Sequence, residues 1–228
     1  MEKITDELTG VKTVAIAGHI RPDGDCIGSC MGMYLYLKEN YPDIETDIYL
    51  EQPREGFSYI SHLEDIKTAC TEEKIYDLFI TLDASTSARI GVAQELFRKA
   101  KRRICIDHHV SNPGFADKDI ICPQIGSASE VLYHLLEEEK ITKPIAEAIY
   151  TGMAHDTGVF RYSCTTPDTM RIAAKLMEKG IDFSSIIDQS FCEKSYVQNQ
   201  ILGRCLMESI QVLHGKCIVG CLRRKDLE

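Results

Sequence analysis

Aspartate and histidine side chains recur in this sequence just after short apolar segments. They occur in G-H-I-R-P-D-G-D, in I-T-L-D, in I-C-I-D-H-H and in A-H-D-T-G. The residues concerned are His19, Asp23, Asp25, Asp83, Asp107, His108, His109 and Asp156. Acids brought together would repel one another unless a cation lay between them. The pattern therefore predicts a metal-dependent enzyme, and the number of candidate ligands favours two metal ions.

The donor types predict which metals and which chemistry to expect. Mixed imidazole and carboxylate, without thiolate, favours Mn²⁺, with Co²⁺, Fe²⁺, Zn²⁺ or Mg²⁺ as alternatives. Six or seven ligands are too many for one tetrahedral zinc, but they suit two ions about 4 Å apart with a bridging carboxylate. Such a pair activates water and draws charge from phosphoryl oxygens. Phosphoester hydrolysis is the reaction class that best uses this arrangement.

The loop around Asp23 and Asp25 has a spacing suited to two ions. Pro22 and Gly24 break regular structure, so the loop can turn its side chains toward a common point. Asp23 and Asp25 could each serve a different metal, and a helix beginning near Ile27 would offer free N–H groups to a phosphate. Taken alone, P-D-G is also a turn signal and Asp25 a helix cap.

The elements that position these residues alternate between strand and helix. Strands are predicted at 13–17, 46–50, 78–82 and 103–106, and helices at about 27–39 and 87–100. This alternation is typical of βαβ units. It predicts an α/β fold with a largely parallel sheet and helices on both faces. Side chains that follow such strands meet at the carboxyl edge of the sheet, where ligands bind.

The second half of the chain reads as mainly helical. Helices are predicted at 130–139, 144–153, 167–180 and 193–209, followed by a β-like stretch, 211–222, that has no partner strand of its own. We therefore expect a metal-binding domain over 1–190, a linker helix over 191–210, and the first strand of an incomplete second domain over 211–228.

Composition restricts the function further. The chain has 228 residues and a net charge of −9, which argues against non-specific adhesion to nucleic acid or to anionic membrane. Bound cations would reverse that charge locally, so an anionic substrate fits. Ten cysteines without a C-x-x-C predict reduced, mostly buried thiols and a cytoplasmic location. No apolar run reaches the roughly 18 residues that would span a membrane.

Together, these motifs resemble the DHH phosphoesterases. The resemblance rests on H-I-R-P-D-G-D (19–25), the strand-end Asp83, D-H-H (107–109) and D-T-G (156–158), which occur in family order. It extends from residue 13 to about 210. Within the family, G-S-A-S-E (126–130) and the segment 150–163 are most similar to the nanoRNase and pAp-phosphatase branch. That branch degrades very short RNAs and removes the 3′-phosphate of adenosine bisphosphate.

The resemblance implies a role for each residue. One ion would be held by His19, Asp23 and Asp83. The other would be held by Asp25, Asp83, His108 and Asp156, which makes Asp83 the bridge. His109 would contact the scissile phosphate, and Asp107 would orient a histidine rather than bind metal. The ions would be two Mn²⁺ per chain.

One departure affects the expected activity. Members of this branch carry a C-terminal domain with a G-G-G-H segment that binds nucleotide, and this chain has no G-G-G-H. We therefore expect weak or no activity from the chain as it stands. Short single-stranded RNA or small nucleotides are the expected substrates, with no membrane partner, and a homodimer is left open. The alternatives are a cyclic or linear dinucleotide phosphodiesterase, an inorganic pyrophosphatase and a non-catalytic nucleotide-binding module.

Overall fold

Six parallel strands form one sheet. The computed structural model describes residues 2–71 and 73–223. The strands are β1 (Thr13–Ala17), β2 (Glu45–Tyr49), β3 (Ile66–Lys67), β4 (Leu78–Leu82), β5 (Arg103–Asp107) and β6 (Lys118–Ile121). Their order is β3-β2-β1-β4-β5-β6, and every neighbouring pair is parallel. The predicted α/β class with a parallel sheet is confirmed.

The direction in which strands are added reverses between β1 and β4. The chain runs outward from β1 to β2 and β3, returns to β4 beside β1, and continues the other way to β5 and β6. In doubly wound sheets, ligands bind outside the carboxyl ends of the strands at such a reversal. The loops after β1 and β4 therefore occupy the place where a site is expected.

Helices cover both faces of this sheet. They are α1 (Gly24–Asn40), α2 (Gln94–Lys99), α3 (Ala128–Leu135), α4 (Lys143–Asp156), α5 (Pro167–Glu178) and α6 (Phe183–Ile187). Val14 and Ile16 of β1 belong to a buried cluster with α1, α3 and α4, whereas Ala15 and Ala17 belong to a second cluster with α2. This alternation follows from the period of two along a strand. No helix among the described residues has the length and apolarity needed to cross a bilayer.

Local structure departs from the sequence prediction in several elements. The helix expected over 87–100 is two short 3₁₀ turns followed by α2, because Gly91 has a left-handed φ of +50° that interrupts it. Strands β3 and β6 were not predicted. They are short, partly exposed and at the two edges of the sheet, so their apolar signal is weak.

A second compact unit, Cys192–Glu228, follows the first. Its described part contains α7 (Tyr196–Met207) and an antiparallel hairpin of β7 (Ile210–Val212) and β8 (Cys217–Val219). The single strand predicted over 211–222 is wrong, because Leu213, His214 and Gly215 take left-handed conformations that turn the chain back. The domain limits at 190 and 210 stay predictions. Residue 1 of the first predicted domain and residues 224–228 of the last lie outside the described residues.

Candidate metal centre

Backbone conformation fixes Asp83 at the end of β4. Asp83 directly follows Leu82 and has φ +57°, in the left-handed region that residues other than glycine seldom adopt. Its backbone N–H donates to the Ile106 carbonyl at 3.0 Å, which ties the residue to β5. Residues held in sparsely populated conformations cluster at functional sites. The buried Asp83 carboxylate is thus held at the reversal point of the sheet.

The first group of predicted ligands, which we call the His19 side, comprises His19, Asp23 and Asp83. His19 Nε2 lies 3.6 Å from Asp23 Oδ1 and 3.4 Å from Asp83 Oδ2. His19 Nδ1 lies 2.8 Å from the Ile20 carbonyl oxygen, to which it can donate a hydrogen bond. With its proton on Nδ1, the ring can offer the lone pair of Nε2 to a metal ion. Asp23 also caps α1 by accepting from the backbone N–H of Asp25 and of Cys26. The structure therefore brings the expected ligands of one ion together.

The second group, which we call the His108 side, comprises Asp25, His108, Asp156 and the same Asp83. His108 Nε2 lies 3.1 Å from Asp156 Oδ2, 3.5 Å from Asp83 Oδ1 and 3.8 Å from Asp25 Oδ2. Three carboxylates thus converge on one imidazole nitrogen. The expected ligands of the second ion are also assembled.

The N-terminus of α3 holds Asp25 in place. Asp25 Oδ2 accepts from the Ala128 N–H at 2.6 Å, and Oδ1 accepts from the Ser129 N–H at 2.9 Å. These are free donors of the first helical turn, where the helix dipole favours negative charge. Gly152 of α4 leaves room for this contact, since a Cβ there would lie 2.6 Å from Asp25 Oδ1. The G-S-A-S-E segment therefore acts on the centre through its backbone.

Two buried atoms of the His108 side favour a bound cation. Within the described residues, Asp83 Oδ1 and His108 Nε2 lie 3.5 Å apart and neither has a hydrogen-bond partner. An unsatisfied buried polar atom costs about 1–3 kcal/mol. Asp83 turns Oδ2 to His19 and Oδ1 to His108, as a carboxylate does when it bridges two ions. The donor set fits a pair of divalent cations.

Asp107 holds the neighbouring His109. Asp107 is fully buried, and its Oδ1 accepts from His109 Nδ1 at 2.8 Å. Its Oδ2 accepts from Asn112 Nδ2 at 2.6 Å. Burial opposes ionisation of Asp107, but the hydrogen bonds from His109 and Asn112 hold its pKa below the usual range. The sequence interpretation did not include Asn112, whose only signal was its position five residues after Asp107.

The clustered carboxylates raise the pKa of His19 and of His108. Burial opposes protonation of His19, but Asp23 and Asp83 raise its pKa to about 11. Burial likewise opposes protonation of His108, and Asp156 and Asp83 raise its pKa to about 11. Burial and the charges of Asp83 and Asp156 raise the pKa of Asp25. Protons therefore supply part of the positive charge that a cation would bring, and metal binding must release them.

Asp156 reaches the centre from a helix rather than from a strand end. It is the last residue of α4, which continues beyond the end predicted for it. The preceding His155 is a support residue, since its ring packs against Phe57 and Phe191 with centroids 5.5 and 5.3 Å away. A Cβ on Gly24 would lie 2.0 Å from this ring. The His155 ring therefore lies against Gly24, the residue between Asp23 and Asp25.

A thiol that the sequence interpretation missed lies at the His19 side. Cys26 Sγ is within 4.8 Å of ligand atoms of both His19 and Asp83. The expectation that most of the ten cysteines are buried is wrong, because only Cys26, Cys30 and Cys105 are. The expected donor set contained no thiolate, and the one available signal was that Cys26 directly follows Asp25.

Comparison with known protein families shows to which family this chain belongs. The family model described as "DHH family, N-terminal domain" matches residues 13–153. This range begins with β1 and includes the D-H-H motif at 107–109. The chain belongs to the DHH family.

Individual relatives are similar over most of this chain. The bifunctional oligoribonuclease and PAP phosphatase NrnA of Thermus thermophilus is 30% identical, and the match covers 90% of this chain and 62% of the relative. The protein of the same name from Bacillus subtilis is 26% identical over 78% of this chain and 57% of its own length. The crystal structure of an exopolyphosphatase-related protein from Bacteroides fragilis superposes with a TM-score of 0.88 at 25% identity, covering 98% of this chain and 69% of that one. The chain thus spans about three fifths of the length of these curated relatives.

Proposed function

We propose that this protein is a metal-dependent phosphoesterase whose centre holds two Mn²⁺ ions. His19, Asp23 and Asp83 would hold one ion, and Asp25, Asp83, His108 and Asp156 the other. The observation that carries the proposal is the position of Asp83 between the two histidines, with Asp83 Oδ1 and His108 Nε2 buried and unsatisfied. Bound divalent cations would supply Lewis-acid charge to phosphoryl oxygens and lower the pKa of a bound water.

His109 is the proposed catalytic residue that contacts the scissile phosphate. The hydrogen bond to Asp107 raises the pKa of His109, which favours the protonated form of its ring. Asp107 occupies Nδ1, which leaves Nε2–H to donate to a phosphate oxygen. Asp107 is a positioning residue, because it fixes the orientation of this ring.

We propose short oligoribonucleotides and adenosine 3′,5′-bisphosphate as substrates. The names of the Thermus thermophilus and Bacillus subtilis relatives support this choice. Both substrates present a phosphoester on a ribose, which a compact centre at a sheet edge can reach. A cytoplasmic location and a homodimer stay predictions.

A substrate panel tests the proposal. The protein, first stripped with a chelator and then supplied with Mn²⁺, is incubated with adenosine 3′,5′-bisphosphate, a diribonucleotide, a cyclic dinucleotide and pyrophosphate. We expect Mn²⁺-dependent release of phosphate from the first and of mononucleotides from the second, at a low rate because the chain has no G-G-G-H segment. Turnover of pyrophosphate alone, or equal turnover without metal, would contradict it. His109→Ala should abolish turnover while Mn²⁺ still binds. This result would distinguish the role of His109 in catalysis from the role of the metal ligands.

A further inference from the structure

The His19 side contains a sulfur atom in addition to its nitrogen and oxygen donors. Cys26 is fully buried in the first turn of α1. Its Sγ accepts a hydrogen bond from the backbone N–H of His19 at 3.2 Å. Burial and the hydrogen bond with the Cys30 thiol raise the pKa of Cys26, so a bound cation must displace the thiol proton. A Cβ on Gly18 would lie 2.2 Å from Sγ, so the glycine before His19 is what leaves room for the sulfur.

The distances allow one ion to contact all three atoms. A Zn–S bond is about 2.3 Å and a Zn–N or Zn–O bond about 2.0–2.1 Å, so two ligands of one tetrahedral ion lie about 3.4–3.6 Å apart. Cys26 Sγ, a His19 ring nitrogen and an Asp83 oxygen are mutually within 4.8 Å. Closure on a tetrahedral ion therefore requires these atoms to approach one another by up to about 1 Å. Asp23 Oδ1 lies 3.6 Å from His19 Nε2, which makes this carboxylate the candidate for a fourth ligand.

We propose that Cys26 makes the His19 side a site for thiophilic divalent cations, with His19, Cys26, Asp83 and Asp23 as ligands of Zn²⁺ or Cd²⁺. This inference rests on the metal centre of the proposed function and adds a ligand to it. Thiolate favours Zn²⁺ over hard cations such as Mn²⁺. When such an ion binds, the sulfur–metal bond forms, the S–H bond breaks and the proton passes to the buffer. Zn²⁺ then competes with Mn²⁺ at this side of the centre, but not at the His108 side, which has only oxygen and nitrogen donors.

The chain offers matched controls for a test with Cd²⁺. Cys30 is equally buried one turn further along α1, and Cys105 is buried in β5. Cys26→Ser keeps the shape of the side chain but replaces sulfur with oxygen. One equivalent of Cd²⁺ is added to the metal-free protein, to Cys26→Ser and to Cys30→Ala, and the sulfur-to-cadmium charge-transfer absorption is recorded. Taking differences between proteins removes the signal of the remaining thiols.

The expected result is an absorption that the wild-type protein and Cys30→Ala share and Cys26→Ser lacks. Loss of an outer contact to a metal ligand weakens affinity about 10- to 100-fold, and loss of a direct ligand should weaken it at least as much. Zn²⁺ affinity should therefore fall by about 10-fold or more in Cys26→Ser, while Mn²⁺ affinity changes less. Equal absorption in wild type and Cys26→Ser, with Mn²⁺ still bound, would overturn the thiol ligand and leave the proposed function intact. Failure of both Cd²⁺ and Mn²⁺ to bind would overturn both.

Discussion

The His19 side and the His108 side share Asp83 but are built from different parts of the fold. On the His19 side the Asp23 side chain is 57% exposed, whereas Asp25 on the His108 side is 0% exposed. The first side is formed by the loops after β1 and β4 and the first turn of α1. The second adds the loop after β5, which carries His108, together with the N-terminus of α3 and the end of α4. The position of Asp23 thus depends on a loop near solvent, whereas that of Asp25 depends on core packing.

Removing the shared residue should affect both sides, and this is the largest effect we expect. Asp83→Asn keeps the size of the side chain and tolerates the left-handed backbone. Loss of a bridging carboxylate should release both ions and lower hydrolysis by about 10³-fold or more, because metal stabilisation of the transition state is worth several kcal/mol. Metal content after equilibrium dialysis and the hydrolysis rate measure this. Asp117→Asn, an exposed surface change, is the control, and retention of both ions by Asp83→Asn would contradict the bridge.

Replacing one aspartate on each side should show whether the free energy of unfolding depends more on the core ligand Asp25 than on the loop ligand Asp23. Asp25→Asn places an amide N–H₂ against one of the α3 donors, so we expect the free energy of unfolding to fall by about 1–3 kcal/mol. Asp23→Asn should lower it by less than Asp25→Asn does, since Asn caps a helix as well as Asp does and solvent screens the pair of Asp23 with His19. Each variant should lose one of two ions. Urea unfolding of the metal-free proteins measures the difference in the free energy of unfolding. Equal destabilisation of the two variants would contradict the proposed contrast between Asp25 and Asp23.

A methyl group at Gly152 should disturb the His108 side without altering any ligand. Its Cβ would lie 1.9 Å from Ser129 Oγ, so Gly152→Ala should lower the free energy of unfolding by about 1–3 kcal/mol. Displacement of Asp25 should weaken binding of one ion by about 10-fold. Gly203→Ala in α7 is the control, since its Cβ would have no neighbour within 4 Å. Unchanged metal affinity in Gly152→Ala would show that α4 does not position Asp25.

His155 should give the smallest effect, visible as a dependence of stability on pH. Burial, with a further contribution from the charge of Arg54, lowers its pKa to about 4. The unfolded chain binds this proton near pH 6.5 and the folded protein does not. The stabilising contribution is therefore present above about pH 6.5 and is lost as the pH falls toward 4.

The test compares wild type with His155→Phe, which keeps the aromatic contacts to Phe57 and Phe191. In chelator, the urea midpoint of the wild-type protein should fall more between pH 7 and pH 5 than that of the variant. The same fall in both proteins would show that His155 does not carry the acid dependence.

The sequence predicts the parts of the centre that depend on local order. His19, Asp83 and His108 each follow a strong apolar run, and parallel strands bring their carboxyl ends to one edge. Contacts between distant segments leave no such pattern. Nothing near Asp25 indicates that Ala128 and Ser129 donate to it, because a free helix N-terminus gains its partner only through packing. The place of Cys26 depends in the same way on Gly18 leaving space.

The close approach of α1 and α4 has a consequence for how the centre responds to change. A Cβ on Gly28 would lie 2.5 Å from the Ala148 carbonyl, and one on Gly32 would lie 3.0 Å from Ile149 Cγ1. Two helical backbones that touch directly cannot slide without opening a void in the interior. Asp25 lies in the first turn of α1 and Asp156 is the last residue of α4. The distance between their backbones is therefore fixed by the packing of the two helices. Surface loops around the cleft can therefore vary in length while the separation of these two carboxylates stays the same.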